Sequence, residues 1–294
     1  MSWEKRLTQA FDGAVQLPLS ERSKFVLFSD CHRGSGDSND NFLKNRNLYL
    51  AALQDYYRRG FSYLELGDGD ELWENRCMAQ IVEIHSDVFR LLSRFYQEKR
   101  LFLVYGNHDM VKKYPKWRSE FCGFFFDPVL QKYQPLFPEL AVYQGVILTD
   151  GQTGKRLYLT HGHQADALNS VFWRVSRFLV RYVWRPLEHF GVTDPTRAAK
   201  NNRVLKKTEE RLAKWAAEKE GILIAGHTHR PRLGTRELPY FNTGSCVHPR
   251  GITCIEIVKR EMALIEWRVE TDEAMRLKVA KQVLAGPVPL DELF

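Results

Sequence analysis

The feature that most constrains this chain is a pattern repeated five times: a short apolar run rich in β-forming residues, followed at once by side chains that bind metals. Phe25 to Phe28 leads into Ser29-Asp30-Cys31-His32, and Phe61 to Leu66 leads into Gly67-Asp68-Gly69-Asp70-Glu71. Leu101 to Tyr105 leads into Gly106-Asn107-His108-Asp109, Leu157 to Leu159 into Thr160-His161-Gly162-His163, and Ile222 to Ala225 into Gly226-His227-Thr228-His229. Such runs read as buried strands, each ending in a reactive loop. Helical patterns over Asn41 to Arg59 and Arg76 to Lys99 separate the early runs, so strand and helix alternate as in a layered α/β protein. In open α/β sheets, sites form at the carboxyl ends of strands. Five loops are therefore expected to converge. Leu140 to Thr160, with Asp150-Gly151-Gln152-Thr153-Gly154 in its middle, reads as a hairpin, and Gly251 to Val269 as a further strand pair.

With 294 residues, 44% of them hydrophobic, the chain can bury one large core. The expectation is a single domain over residues 1–294 with a helical insert or lid at 164–220. The polar start, Met1 to Gly13, lacks the form of a secretory signal, so a cytoplasmic location is expected. The longest apolar stretch, Ala167 to Trp184, is interrupted by Arg174, Arg177 and Arg181, which argues against a membrane span. Five scattered cysteines without a CxxC pair signal neither a disulfide framework nor a thiolate zinc site. A net charge of +7 suits an anionic partner: a phosphorylated substrate, nucleic acid or an anionic lipid surface.

Collected from the loop ends, Asp30, His32, Asp68, Asn107, His161, His227 and His229 form a set of oxygen and nitrogen ligands. Two divalent ions sharing a site need a bridging carboxylate, further ligands on each side, and open positions for water and substrate. Asp68, in a tight Gly-Asp turn, suits the bridge. In Asp30-x-His32 and His227-x-His229, alternate side chains of an extended segment leave on one side. Mixed carboxylate, amide and imidazole ligands favour manganese, the foremost expectation, with iron, zinc or cobalt as alternatives.

Asp30-x-His32, Gly67-Asp68-x-x-Glu71, Gly106-Asn107-His108-Asp109, His161 and Gly226-His227-x-His229 together resemble the signature of the calcineurin-like metallophosphoesterases, from about Lys24 to Val258. The resemblance implies an α/β fold, a four-layer α/β/β/α sandwich, and a phosphoesterase that hydrolyses phosphate monoesters, diesters or pyrophosphates with a metal-activated hydroxide. It implies Asp30, His32, Asp68 and His229 around one ion, and Asp68, Asn107, His161 and His227 around the other. It further implies catalytic roles for His108, as general acid to the leaving group, and for Asp109, as the residue that orients it.

His163 and Arg33 are candidate substrate contacts, Arg33 because its planar fork matches phosphate. Glu71 and Asp70 could tune Asp68 or cap a helix. In the insert, Leu168, Val171, Phe172, Val175, Leu179, Tyr182 and Val183 follow helical spacing and predict an apolar face, with Arg174, Arg177, Arg181 and Arg185 as a basic stripe. Asp194-Pro195 suggests the cap of a second helix bearing Leu205, Leu212 and Trp215. The insert's place and Gly226-His227-Thr228-His229-Arg230-Pro231 resemble the UDP-2,3-diacylglucosamine pyrophosphatases, which usually carry arginine in place of His108 and Gly-Asp in place of Gly162-His163. Either the insert packs on the domain or a second subunit, or it offers arginines to phosphate and aromatics to an acyl chain or membrane surface. Nuclease or cyclic-nucleotide phosphodiesterase activity, and a non-catalytic membrane- or nucleic-acid-binding role, are the alternatives; the sequence does not fix the oligomeric state.

Overall fold

Alternation along the apolar runs decides which core each side chain enters. In the strand Lys24–Phe28, Val26 and Phe28 pack into one core and Leu27 into another; in Ile222–Ala225, Ile222 and Ile224 oppose Leu223 and Ala225. Period-two patterning of this kind is what a strand buried on both faces requires. The computed structural model describes residues 1–127, 130–184 and 202–294. Its strands are Val15–Leu19 (β1), Lys24–Phe28 (β2), Ser62–Leu66 (β3), Leu101–Val104 (β4), Phe124–Asp127 (β5), Lys132–Pro135 (β6) and Val142–Tyr143 (β7). Gly145–Asp150 (β8), Arg156–Thr160 (β9), Ile222–Ala225 (β10), Tyr240–Asn242 (β11), Ile252–Val258 (β12), Glu261–Thr271 (β13) and Leu277–Pro289 (β14) follow.

One sheet runs β1-β8-β9-β10-β11, a second runs β14-β13-β12-β2-β3-β4-β7, and β5 and β6 pair on their own. The cores between them define four layers. Leu27, Leu64, Leu66 and Val104 of the larger sheet meet Val146, Leu148, Leu157, Leu159, Ile222 and Ile224 of the smaller one, so the sheets stack face to face. The outer face of the larger sheet, with Val26, Phe28, Tyr63 and Ile265, is covered by the helices Arg46–Arg58, Met78–Ile84 and Ser86–Gln97. Leu223, Ala225 and Tyr240 on the smaller sheet's outer face are covered by Trp3–Gln9 and Asn202–Glu218, through Leu7, Leu212 and Trp215. This is the α/β/β/α sandwich that the resemblance implied.

Strands β2, β3 and β4 are parallel neighbours, as are β9 and β10, so their carboxyl ends emerge together within each sheet. The expected hairpin is β8 and β9, and the expected late pair is β12 and β13, both antiparallel. The helix expected over Arg76 to Lys99 is two helices broken at His85, whose Nε2 lies 3.1 Å from the Gly34 carbonyl and 3.0 Å from Asp40 Oδ2. A buried imidazole tied to another loop outweighs helical continuity.

The first insert helix departs further from its pattern. It comprises Ala167–Ser170, Trp173–Leu179 and a π-helical turn, Val180–Trp184. Leu168, Val171, Phe172, Val175 and Tyr182 of the expected apolar face are exposed, and Trp173 and Val180 are the buried pair. The breaks rotate the register, so the face that packs is the one that meets Trp73 and Met110. Arg185 and the Asp194-Pro195 cap lie outside the described residues. Among the described residues, no helix is long and apolar enough to cross a membrane.

The β12–β13 turn is fastened to both the smaller sheet and the C-terminal helix by Arg260. Its Nε and Nη2 donate to Asp150 at 2.8 and 2.9 Å, and Nη2 also donates to Asp291 at 2.7 Å. Burial would raise the Asp150 carboxyl, but Arg260 and Thr153 hold it down at about 2. A depressed carboxylate pKa contributes stability that is present above the ordinary value and lost as pH falls through the folded one. Arg260→Met should therefore lower the urea midpoint most at pH 7, with the deficit shrinking as pH drops below about 4. A deficit independent of pH between 7 and 3 would refute this role.

Candidate active site

Close approach of loops dictates the backbone around the expected ligands. Asp30, His32, Asp68, His227 and His229 all have positive φ, between 49° and 67°. Left-handed backbone is uncommon outside glycine and costs roughly 1 to 3 kcal/mol per residue. Five such residues among the seven expected ligands mark a place where geometry overrides local preference. Glycine supplies the remaining clearance. A Cβ on Gly106 would lie 2.1 Å from Asp68 Oδ1, and one on Gly226 would lie 2.3 Å from Ser29 Oγ and 2.4 Å from Asp30 Oδ2.

Each carboxylate spends one oxygen on the fold and keeps the other for the centre. Asp30 Oδ2 accepts from the His227 backbone N–H at 2.9 Å and from Ser29 Oγ; Oδ1 lies 3.0 Å from His229 Nε2. Asp68 Oδ1 accepts from the His108 N–H at 2.8 Å, while Oδ2 lies 3.1 Å from His161 Nε2 and 3.8 Å from His32 Nε2. The histidines are divided likewise. Nδ1 of His161 donates to the Leu66 carbonyl at 2.8 Å, and Nδ1 of His32 sits 2.8 Å from Glu71, leaving both Nε2 atoms for the centre. Outer partners of this kind fix ring orientation in metal sites. Asn107 Oδ1 completes the set 3.1 Å from His161 Nε2.

Among the described residues, three groups of donor atoms lie within metal-binding reach: Asp30, His32 and His229; Asp68, His161 and His227; and His32, Glu71 and His108. His32 Nε2 and His227 Nε2 are buried without a hydrogen-bond partner, and Asp30 Oδ1 meets only His229 Nε2. Buried polar atoms are ordinarily paired, so orphaned lone pairs facing one centre fit a cationic occupant. All seven expected ligands are thus brought together.

Buried carboxylates and imidazoles set one another's titration at the centre. Burial would raise Asp30, yet His229 and His161 hold it at about 2. Burial likewise opposes ionisation of Asp68, but His161 and His108 keep its carboxyl well below the usual range. Burial would lower His161, and Asp68 instead pushes it up to about 9.

His108 joins the centre with a different partner from the one expected. Asp109 does not orient it: the Asp109 carboxylate accepts from the Gly106 and Gly69 N–H groups and pairs with Lys112 at 2.8 Å. The orienting group is Glu71, 2.8 Å from His108 Nδ1, and the same carboxylate holds His32. Burial would lower His108, but Glu71 and Asp68 push it up to about 9. Trp73 stacks on the ring with centroids 4.3 Å apart and planes 23° apart. No motif announced Trp73 or Lys112, since their roles depend on contacts across the fold.

Arg33, the expected phosphate grip, is 1% exposed and turned inward. Its guanidinium forks onto Glu65 at 2.8 Å through Nη1 and Nη2 and reaches Asp70 at 2.7 Å through Nε. His163 is buried beside His161, with centroids 5.4 Å apart; burial, His161 and His227 hold its pKa well below the ordinary value.

Residues 23–231 match the family model described as calcineurin-like phosphoesterase. No curated protein sequence matches the chain. Among solved structures, Vps29 of Chaetomium thermophilum is 13% identical over 90% of this chain and 97% of its own, with a TM-score of 0.41. A point mutant of a cold-active protein tyrosine phosphatase is 12% identical, covering 90% and 83%, with a TM-score of 0.40. The cold-active protein-tyrosine phosphatase of a psychrophile, Shewanella sp., gives 11%, 90%, 83% and 0.39.

Gly106→Ala should drive its new methyl against Asp68 Oδ1 and the Asp68 backbone nitrogen, 2.5 Å away. We expect a folded protein whose affinity for Mn²⁺ falls at least about tenfold, as when a supporting residue of a metal site is lost. Unchanged affinity by calorimetry would contradict this packing argument.

Proposed function

Because the chain belongs to the calcineurin-like phosphoesterase family, we propose that it hydrolyses phosphate esters or anhydrides with two divalent cations, manganese foremost. Asp30, His32, Asp68 and His229 would hold one ion, and Asp68, Asn107, His161 and His227 the other. The observation that carries this reading is Asp68 Oδ2, which lies 3.1 Å from His161 Nε2 of one donor group and 3.8 Å from His32 Nε2 of another. When bound, such ions supply positive charge to phosphoryl oxygens and lower the pKa of water.

The chain's own residues complete the reaction. With Nδ1 held by Glu71, His108 keeps Nε2 for a transferable proton. Donation to the departing oxygen is typically worth roughly 10² to 10⁴ in rate. Glu71 fixes the ring that donates and a ring that ligates, and so couples the two roles.

The insert supports a lid reading. Leu168, Val171, Phe172, Val175 and Phe178 are exposed, while Trp173 of the same segment packs beside Trp73. An apolar surface so close to a phosphate site suits an acylated substrate or a lipid surface reached from the cytoplasm. The insert's place fits the UDP-2,3-diacylglucosamine pyrophosphatase branch; His108 and His163, standing where that branch differs, leave the substrate itself open. The nuclease reading rests on net charge alone.

The assay is hydrolysis of p-nitrophenyl and bis-p-nitrophenyl phosphate with added Mn²⁺, where activity on the diester alone would identify a diesterase. Asp68→Asn and His229→Ala should abolish turnover together with metal content. His108→Ala should retain two ions per chain by elemental analysis and lose roughly 10²-fold or more on esters of poor leaving groups. Metal loss in His108→Ala would overturn the assignment. For the lid, anionic vesicles should pellet the native protein and pellet a Phe172→Ser/Phe178→Ser variant less; equal pelleting would refute it.

A further inference from the structure

The turn from Glu71 to Asn75 is gripped from two sides. The N–H groups of Trp73 and Glu74 donate to Glu71 Oε1 at 3.2 and 3.3 Å. The carbonyls on the other side converge on Arg181 of the insert. Arg181 Nε donates to Trp73 O at 2.7 Å, and Nη2 donates to Leu72 O at 2.7 Å and Asn75 O at 3.2 Å. A planar fork takes three carbonyls of an irregular turn that no strand or helix ladder can satisfy; a lysine would offer only a point charge. Trp73, carried by that turn, lies flat on His108. Trp73 also shares a cluster with Met110, Trp173 and Val180, so insert and turn are packed as well as bonded. Arg174 and Arg177 instead lie over the Trp173 ring, 5.5 and 4.9 Å from its centroid.

We propose that Arg181 is a positioning residue for the leaving-group proton: through the 72–75 turn and Trp73, the insert sets the pose of His108. This rests on the reading of His108 as the acid. In that step water gives one proton to solvent as its oxygen bonds phosphorus, the bond from phosphorus to the leaving oxygen breaks, and the proton on His108 Nε2 passes to the leaving oxygen, after which the ring regains a proton from solvent. Glu71 fixes one nitrogen of the ring, which leaves rotation about that bond. Trp73 stacking removes this freedom, and Arg181 holds Trp73 in place. A donor must lie within hydrogen-bond reach of the atom it serves, so loosening this support misplaces the proton without emptying the metal ligands.

The test compares Arg181→Met, Arg181→Lys, His108→Ala and the Arg181→Met/His108→Ala double variant on phenyl and p-nitrophenyl phosphate esters. Both Arg181 variants should slow the phenyl ester about tenfold, as for a misplaced rather than absent acid, and the p-nitrophenyl ester less than about twofold. Metal content should be unchanged, and the double variant should be no slower than His108→Ala. Equal slowing of both esters, or additional slowing in the His108→Ala background, would overturn the proposal. Independently of turnover, the His108 ring-proton resonances of the metal-free protein, identified by their loss in His108→Ala, should move in both Arg181 variants as Trp73 stacking loosens. Unmoved resonances would also overturn it. If His108→Ala cleaves the phenyl ester at the native rate, the reading of His108 as acid is what fails, and the resonance shift still judges the linkage from Arg181 to His108.

Discussion

Burying negative charge is the constraint on which this molecule turns. Asp30, Glu65, Asp68, Asp70, Glu71 and Asp109 lie close together, all nearly inaccessible. A carboxylate taken out of water without a partner is costly, so each must meet a cation or a dense set of donors. Among the described residues, two buried cations serve the purpose. Arg33 takes Glu65 and Asp70, and Lys112 takes Asp70 and Asp109. Asp30, Asp68 and Glu71 are left with histidines and backbone N–H groups. Those are the carboxylates that face the centre. Compensation by fixed charges beneath and incomplete compensation above are one arrangement seen from two sides, and the incomplete side is where divalent cations fit.

That division also explains why loops are held so tightly. Lys112 reaches both Asp70, in the loop after β3, and Asp109, in the loop after β4, and Asp109 in turn accepts from Gly69. Removing either buried cation would leave an unpaired carboxylate, a change that typically costs about 3 to 5 kcal/mol. Positive-φ ligands and glycines without room for a methyl are sustained by this framework. Strain in the ligand backbone persists only where surrounding contacts over-determine it.

The strands, the stacked sheets and the convergence of the seven expected ligands were legible because each depends on local alternation plus the rule that reactive loops gather at strand ends. What failed depended on distant partners. The resemblance gave Asp109 the role of orienting His108, yet the backbone aims it at Lys112 while Glu71, 37 positions away, takes the imidazole. Arg33 beside His32 read as a phosphate grip; side chains alternate along the segment, and Arg33 points beneath the sheet's end toward Glu65. The insert kept helical spacing in its apolar residues but not a continuous helix, and a break plus a π turn exchanged the faces. No local pattern encodes such a shift, because the packing partner, Trp73, comes from another loop.

The two halves of the chemistry therefore rest on different parts of the fold. Six of the seven expected ligands sit on backbone pinned by the two sheets and by contacts among the loops themselves; His32 adds Glu71 to that support. His108 shares Glu71 but takes its second constraint from Trp73, which answers to the insert. A change in the insert can alter how the leaving group is handled while the ligand cage stands, whereas a change at Glu71 reaches both at once. On the proposed reading the acid and the metal cage have separate mechanical supports, and Glu71, which holds both His108 and His32, is the point where that separation ends.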